Sequence, residues 1–318
     1  GYEYEYQWHK TGYDPDTETD IDEPIEDPLK VCINENAHTF VLYCYRYKIV
    51  DEKDIVWKGD STGDYFSIGT AEGLGIFRDL VNGCNENLKM VDNSEGSEKV
   101  FVYYETGSSR SQLNATLTLD IDLTQSDGNE LSWIPINGYS GTFDGGGHTI
   151  TVNNTYQVNG NLYYQGFFDT LDGATIKNLV VAGEETISES GLEYCGGIAG
   201  FAGDSSSIKT TEFINCVNKR KLTVSGNVGH IGGFVGYFQK NETYNSLTFE
   251  NCINLGEINV SDVSAEPYVA GFTSGATSYT KCINAGNVTG ATFAVDETTI
   301  FGTVAGFDAS VPESFTDC

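Results

Sequence analysis

The reading of the chain turns on one recurring stretch. It runs Tyr164-Gln165-Gly166-Phe167, Cys195-Gly196-Gly197-Ile198, Ile231-Gly232-Gly233-Phe234, Val269-Ala270-Gly271-Phe272 and Val304-Ala305-Gly306-Phe307. The shared glycines, Gly166, Gly197, Gly233, Gly271 and Gly306, recur at intervals of 31, 36, 38 and 35 residues. A second column keeps step with the first: Ile176-Lys177-Asn178-Leu179, Phe213-Ile214-Asn215-Cys216, Phe249-Glu250-Asn251-Cys252, Tyr279-Thr280-Lys281-Cys282 and Phe315-Thr316-Asp317-Cys318. Its last position recurs at 37, 36, 30 and 36 residues. Two independent columns in step define an internal repeat, a signal that decides a fold before any short motif is weighed.

Each unit contains two or three short alternating stretches, β-branched or aromatic, separated by Gly, Asn and Ser. No helix-period segment of useful length lies between them. Three short strands in a unit of this size make one turn of a parallel β-solenoid, with turns stacked at about 4.8 Å and aligned side chains forming ladders. Residues 113–318 are therefore expected to be one elongated all-β domain around an apolar bore. Glycine in the first column suits a tight corner or close packing between turns.

Composition excludes several classes. The 318 residues carry 46 Asp and Glu against 17 Lys and Arg, a net charge of −29. That charge repels phosphate backbones and anionic membrane surfaces, so nucleic-acid binding is not expected. No apolar run of about 18 residues is present, which argues against membrane insertion. The chain begins at Gly1 and its only methionine is Met90, so it reads as a processed or excerpted fragment. High acidity with many Thr, Asn and Tyr suits an extracellular or cell-surface setting.

Residues 1–30 read as an acidic leader. Tyr2, Tyr4 and Tyr6 alternate with Glu3 and Glu5, so the segment is either a solvated arm or an assembly strand that pairs with a neighbouring copy. Asp14 to Asp27 lacks periodicity and reads as a linker. Residues 31–112 form a β-rich segment and a capping helix. Phe40 to Tyr47 suggests a hairpin or small sheet. Leu74, Phe77, Leu80 and Val81 fall on one helical face over about 70–82, with Thr70 as N-cap and Asn82-Gly83 as the stop. Gly73 and Gly75 each weaken that helix by about 1 kcal/mol. After Gln112, Leu117, Leu119, Ile121 and Leu123 alternate with Thr118, Asp120 and Asp122 as a strand.

At this point a family resemblance enters. Phe143-Asp144-Gly145-Gly146-Gly147-His148-Thr149-Ile150, the preceding Asp120-Ile121-Asp122-Leu123, and the Gly-Gly-Phe-Val-Gly and Asn-Cys-Ile-Asn-x-Gly repeats resemble GLUG-motif arrays. Thr70-Ala71-Glu72-Gly73-Leu74 with Val81-Asn82-Gly83 resembles the segment that often precedes them. The resemblance covers about 61–318 and leaves 1–60 unassigned. It implies a right-handed parallel β-helix of the kind found in large secreted or surface-anchored proteins, often bacterial: adhesins and non-catalytic regions of immunoglobulin A proteases. The motif is structural and transfers no catalytic residue.

Cys216, Cys252, Cys282 and Cys318 take the place of Leu179, and Cys195 takes the place of Ile231, Val269 and Val304. Equivalence to aliphatic positions makes them small core residues in a free-thiol ladder. Stacked disulfides are the alternative, disfavoured because neighbouring turns lie about 4.8 Å apart while disulfide Cβ atoms want about 3.8 Å. Cys32 and Cys44 are the best disulfide candidates, and Cys84 has no assigned place. No CxxC pair lies near a histidine, so neither a zinc site nor a cofactor is expected.

Solenoid enzymes commonly gather carboxylates on the outer faces of adjacent coils, and Asp120 and Asp122, pointing the same way from one strand, could serve as an acid/base pair. The plainer reading makes them outward strand residues and turn formers. A lyase acting on acidic polysaccharide would need cations, and Lys219-Arg220-Lys221 reads as a solvated corner rather than a site. Motifs for serine hydrolases, zinc proteases and phosphate loops are missing. Sequons start at Asn114, Asn153, Asn241, Asn259 and Asn287 and leave glycosylation open.

The expected function is therefore non-enzymatic: a secreted or cell-surface stalk, adhesin or coat component. Loops such as 183–194, 239–247 and 261–268 offer a binding edge for glycans or host and cell-surface proteins, with Tyr194, Tyr244 and Tyr268 as candidate sugar contacts. Alternatives are a self-assembling filament subunit joined by its leader, and a polysaccharide-acting enzyme.

Overall fold

The structure is a computed structural model that describes residues 2–14, 19–24, 39–60, 63–83, 87–92, 100–104, 110–124, 133–153, 164–187, 192–203, 209–225, 228–239, 245–261, 267–276, 278–289, 303–305 and 314–318. Among these residues the chain is all-β, with one helix, α1 (Ala71–Asn82). No helix among them is long and apolar enough to cross a membrane.

The longest sheet begins with Thr19–Pro24, Tyr2–Asp14, Thr39–Ile49, Asn87–Asp92, Ile55–Asp60 and Gly63–Ile68. It continues through Ala115–Leu117, Thr142–Asp144, Thr175–Lys177, Lys209–Ile214, Asn245–Glu250, Ser278–Thr280 and Ser314–Thr316. From Gly63–Ile68 onward every pairing in that series is parallel. The register sets Phe143, Ile176, Phe213, Phe249, Tyr279 and Phe315 side by side. From Ile176 on these are the first positions of the second sequence column, so that column is a row of neighbours in one sheet.

Four further parallel sheets take one strand each from successive repeats. One contains Ile121–Asp122, Thr149–Thr151, Val180–Ala182, Val217–Asn218, Ile253–Asn254 and Ile283–Asn284. Another contains Tyr164–Gln165, Tyr194–Gly196, His230–Gly232, Tyr268–Ala270 and Thr303–Ala305. A third contains Phe168–Leu171, Ala199–Ala202 and Val235–Phe238. The last contains Glu184–Ile187, Lys221–Ser225, Ile258–Ser261 and Val288–Thr289.

Aromatic rings interlock inside. Phe249 stacks on Phe213 at 5.1 Å and 14°, and on Tyr279 at 5.1 Å and 7°. Phe234 stacks on Phe272 at 4.6 Å and 2°. The two columns meet edge to face, Phe213 against Phe234 at 88° and Phe249 against Phe272 at 81°. Stacking along a column and T-shaped contact across columns are both favoured by the ring quadrupole.

The polar letters of the repeat make its corners. Asn178, Asn215, Asn251, Lys281 and Asp317 all have φ between 50 and 54°, a left-handed conformation that asparagine and aspartate tolerate best after glycine. Their amides form an outer chain: Asn178 Nδ2 donates to Asp144 Oδ1 at 3.0 Å, Asn215 Nδ2 to Asn178 Oδ1 at 3.0 Å, and Asn251 Nδ2 to Asn215 Oδ1 at 3.2 Å. A second chain is internal. Asn218 Nδ2 donates to Asn254 Oδ1, and Asn254 Nδ2 to Asn284 Oδ1, both at 2.8 Å. A Cβ on Gly197 would lie 2.7 Å from Asn218 Oδ1, and one on Gly233 would lie 2.8 Å from Asn254. The column glycines are therefore places where a neighbouring repeat lies against bare backbone. Gly166 also lies against neighbouring backbone, its Cβ position 2.8 Å from Ala199 Cα, but out of step with the others. Gln165 pairs with Cys195 and Phe168 with Ala199, so its repeat is one residue shorter at the turn and Gly166 stands one step off the column. Gly306 lies outside the described residues.

The helix follows its expected limits. Thr70 Oγ1 accepts from Gly73 N–H at 3.2 Å, and Gly83 closes the helix at φ 79°. Leu74, Phe77, Leu80 and Val81 are buried. Phe77 packs against Phe66, Tyr139 and Phe143 at 6.0, 6.1 and 6.1 Å. One hydrophobic core runs from Val50 to Cys282, so no break in packing marks residue 112.

Three features of the N-terminal half are placed by pairing within the chain. Tyr2–Asp14 pairs antiparallel with Thr39–Ile49 of its own chain, Tyr2, Tyr4 and Tyr6 opposite Lys48, Arg46 and Cys44. The alternation thus marks a strand that has a partner inside its own chain along one edge. Thr19–Pro24, inside the expected linker, pairs with residues 9–14. Phe40 to Tyr47 lies in a sheet, the second of the two expected forms, in a strand joined to Tyr2–Asp14 and Asn87–Asp92. Cys32, Cys84 and the Cys44 side chain lie outside the described residues. Further on, the alternating run after Gln112 is two strands of different sheets separated by a corner at 118–120, which leaves Leu119 58% exposed.

Two glycines of α1 separate close approach from mere flexibility. A Cβ on Gly73 would come within 1.9 Å of Asp54 O, whereas one on Gly75 meets nothing nearer than Arg78 Nη2 at 4.0 Å. Gly73→Ala should destabilise the protein by about 1–3 kcal/mol, and Gly75→Ala should stabilise it by about 0.5–1 kcal/mol. Urea denaturation of the two variants checks both signs.

Candidate functional site

The sequence Gly-Gly-x-x-Gly brings two consecutive strands unusually close. A Cβ on Gly196 would lie 2.0 Å from Ala199 O, and one on Gly200 would lie 2.5 Å from Gln165 N. The next repeat is built alike: Gly232 faces Val235 O at 1.9 Å and Gly236 faces Cys195 N at 2.6 Å. No side chain fits at these positions, so the flanking residues carry their rings to one shared strip.

The strip has two columns. Tyr164, Tyr194, His230 and Tyr268 are register neighbours. Tyr164 stacks on Tyr194 at 5.5 Å and 8°, Tyr194 lies 5.4 Å from His230, and His230 stacks on Tyr268 at 4.8 Å and 11°. Beside them stand Phe201 and Tyr237, also register neighbours. Tyr237 lies 4.9 Å from Tyr194 and 4.5 Å from His230, and Phe201 lies 5.0 Å from Tyr164. His230 Nδ1 is 3.1 Å from Ser274 Oγ. In this packing the inner rings cover one another's faces. Tyr268 is 37% exposed, and its next register neighbour is Thr303, so the stack of rings ends there.

Burial sets the charge state. It lowers His230 to about 4, which leaves the imidazole neutral at neutral pH. Burial, with Glu193 adding to it, raises the Tyr194 phenol. At neutral pH His230 thus adds no charge to the strip, and Glu193 lies beside Tyr194.

Of the tyrosines expected to contact sugars, Tyr194 and Tyr268 share this strip, and Tyr244 lies outside the described residues. Tyr164, His230, Phe201 and Tyr237 were not anticipated, although a signal existed. Tyr164, Tyr194, His230 and Tyr268 each stand immediately before Gln165, Cys195, Ile231 and Val269. The expected loop 183–194 contains the strand Glu184–Ile187, so part of that binding edge is sheet.

The remaining candidates are spent on structure. Cys195, Cys216, Cys252 and Cys282 are free and buried, and Cys318 is free and exposed. Cys216 Sγ donates to Ile176 O at 3.3 Å and Cys252 Sγ to Phe213 O at 3.4 Å. Burial holds the Cys252 and Cys195 thiols well above the usual range, the opposite of what a nucleophile needs, whereas its hydrogen bond with Cys252 lowers Cys282 to about 7. Asp120 Oδ1 accepts from Thr149 N–H at 2.9 Å and faces His148, and these contacts lower its pKa. A general acid needs the reverse shift. Asp122 Oδ1 accepts from Thr124 N–H at 2.8 Å. One reading is overturned: Arg220 is no solvated corner residue but is fully buried and ion-paired with Glu185. Its Nη1 donates to Gly197 O at 3.5 Å.

No protein-family model matches the chain, and no curated protein matches its sequence. Among solved structures, it is similar to a Bacteroides ovatus protein provisionally described as an immunoglobulin A1 protease. The TM-score is 0.35 and the identity 18%, with 79% of this chain and 85% of that one covered.

Histidine titration tests the strip. An unfolded histidine takes its proton near pH 6.5 and native His230 only near 4. Between these values the unfolded chain binds more protons, so this contribution to stability falls as pH falls. His230→Phe should therefore lose less stability than the wild type as urea denaturation is repeated from about pH 7 down to about pH 4. Parallel pH profiles would mean that His230 is protonated in the native strip without cost.

Proposed function

We propose that residues 113–318 form a right-handed parallel β-helix, covered at its first repeat by α1, and that the chain is a non-enzymatic extracellular or cell-surface element. Its role is to present the aromatic strip on a rigid rod. The observation that carries this reading is the parallel pairing of strands from repeat to repeat. Each repeat places one strand in each of several parallel sheets, and every strand pairs with its counterpart one repeat away. A stack of this kind gains its interior from neighbours alone and extends without long-range crossings.

The resemblance to GLUG-motif arrays supports the same reading through the geometry of its most specific segment. In Phe143-Asp144-Gly145-Gly146-Gly147, a Cβ on Gly145 would lie 2.4 Å from Asn178 O, and Gly146 and Gly147 have φ of 60 and 82°. Asp144 Oδ1 accepts from Gly146 N–H at 2.9 Å. Phe143 fills the core and the letters after it serve the turn, as a structural motif requires.

The ligand class follows from the strip. An uncharged run of phenol and imidazole rings, ending in the exposed Tyr268, suits the apolar face of a neutral sugar or an aromatic-rich protein segment. A polyanionic glycan is disfavoured by the net charge of −29. Tyr237→Ala and Tyr268→Ala should each weaken binding in a neutral-glycan and cell-surface-protein screen at least about tenfold, the loss typical of a contact aromatic. Unchanged affinity in both variants, with the fold retained by circular dichroism, would remove the strip as the site.

A further inference from the structure

The interior contains a polar knot at positions that the following repeats fill with Cys, Ile, Val, Leu or Gly. In register, Gln165 stands beside Cys195, and that row continues through Ile231 and Val269. Glu185 stands beside Leu222, and its row continues to Ile258. Arg220 ends the triplet Asn218-Lys219-Arg220, which the next two repeats carry as Asn254-Leu255-Gly256 and Asn284-Ala285-Gly286. The turn is the same in both versions: Asn218 Oδ1 accepts from Arg220 N–H at 3.1 Å, and Asn254 Oδ1 accepts from Gly256 N–H at 3.2 Å. Three rows depart from their pattern, and the three departing side chains meet. Arg220 Nη2 donates to Glu185 Oε2, and Gln165 Nε2 donates to Glu185 Oε1. Arg220 and Glu185 are 0% and 1% exposed.

A buried pair of this kind is a poor source of stability, because desolvating two charges offsets most of their attraction. Arg220 Nε even lacks a hydrogen-bond partner among the described residues. What the pair supplies is discrimination. The native neighbour of Glu184–Ile187 is Lys221–Ser225. Slipped by one repeat, the same strand would face Ile258–Ser261, where Gly256 replaces Arg220 and Glu185 would be buried without a cation. The later repeats also have no room for such a side chain: a Cβ on Gly256 would lie 2.2 Å from Arg220 O, and one on Gly286 would lie 2.1 Å from Gly256 O. We propose that Gln165, Glu185 and Arg220 form a register lock that fixes which repeat stacks on which when otherwise interchangeable strands assemble.

The test compares the wild type with Arg220→Gly and with the double variant Glu185→Leu/Arg220→Gly, which gives both positions the residues of the following repeats. Each protein is unfolded in urea, refolded by dilution and followed by hydrogen exchange with mass spectrometry over 184–187 and 221–225. The lock requires a lowered thermal midpoint in Arg220→Gly, where the carboxylate is stranded, and a midpoint in the double variant no lower than the wild type. It also requires one exchange population for the refolded wild type and at least two for the double variant, with the native share reduced at least twofold. A double variant that refolds to a single population in wild-type yield overturns the proposal. So does one that melts below the wild type or fails to fold, because the pair would then be an ordinary stabiliser. A wild type that itself refolds to mixed populations overturns it as well.

Discussion

The structure depends on edge-to-face contact between two interior aromatic columns. Phe213, Phe249 and Tyr279 form one, Phe234 and Phe272 the other, and each ring of one column meets the side of a ring in the other. A shift of one strand by two residues would break both the stack and the T-contacts, so the columns hold the parallel register. With that register set, the asparagine amides come into line, the glycines come to face neighbouring backbone, and the outward residues fall into rows.

The interior is divided in two. A large core holds the aromatic columns, and a smaller one contains Ile187, Leu192, Cys195, Leu222, Val224, Val228, Ile231, Ile258, Val260 and Val269. The chain passes from one to the other at Gly197, between Cys195 and Ile198, and again at Asn218, between Cys216 and Leu222. Gly197 and Asn218 touch there, so bare backbone and amide share the boundary. An unpaired amide at such depth would cost on the order of 1–3 kcal/mol, and the Asn218–Asn254–Asn284 chain avoids it. The Asn-x-Gly pattern is therefore a seam between two hydrophobic compartments, closed at its first repeat by Glu185 and Arg220.

On the outside the same backbone produces the candidate site. Tyr164, Tyr194, His230 and Tyr268 are one residue away from the row that fills the smaller core, and a strand sends successive residues to opposite faces. Interior order thus imposes exterior order. Because the inner rings cover one another, the exposed end at Tyr268 and the flanking Tyr237 carry the recognition argued for the strip.

Much of this was legible in the sequence. Two columns of fixed period are enough to specify strands in parallel register, because a repeat can bury its apolar residues only against its own kind. The helix was legible from Thr70, Gly83 and the spacing of Leu74, Phe77, Leu80 and Val81, which are local signals. The site was half legible: Tyr194 and Tyr268 could be picked as aromatic, but nothing in their spacing joins them to Phe201 and Tyr237. Where the sequence by itself misled, the missing quantity was a long-range partner. The Tyr/Glu alternation specifies a strand and not the strand opposite it, which is Thr39–Ile49. Lys219-Arg220-Lys221 is a solvated triplet by composition, and only the tertiary structure turns its middle member inward to Glu185. Local letters determine which face and which turn a residue can take. Which charges meet, and which rings share a surface, depends on distances between repeats that exist only once the chain has stacked.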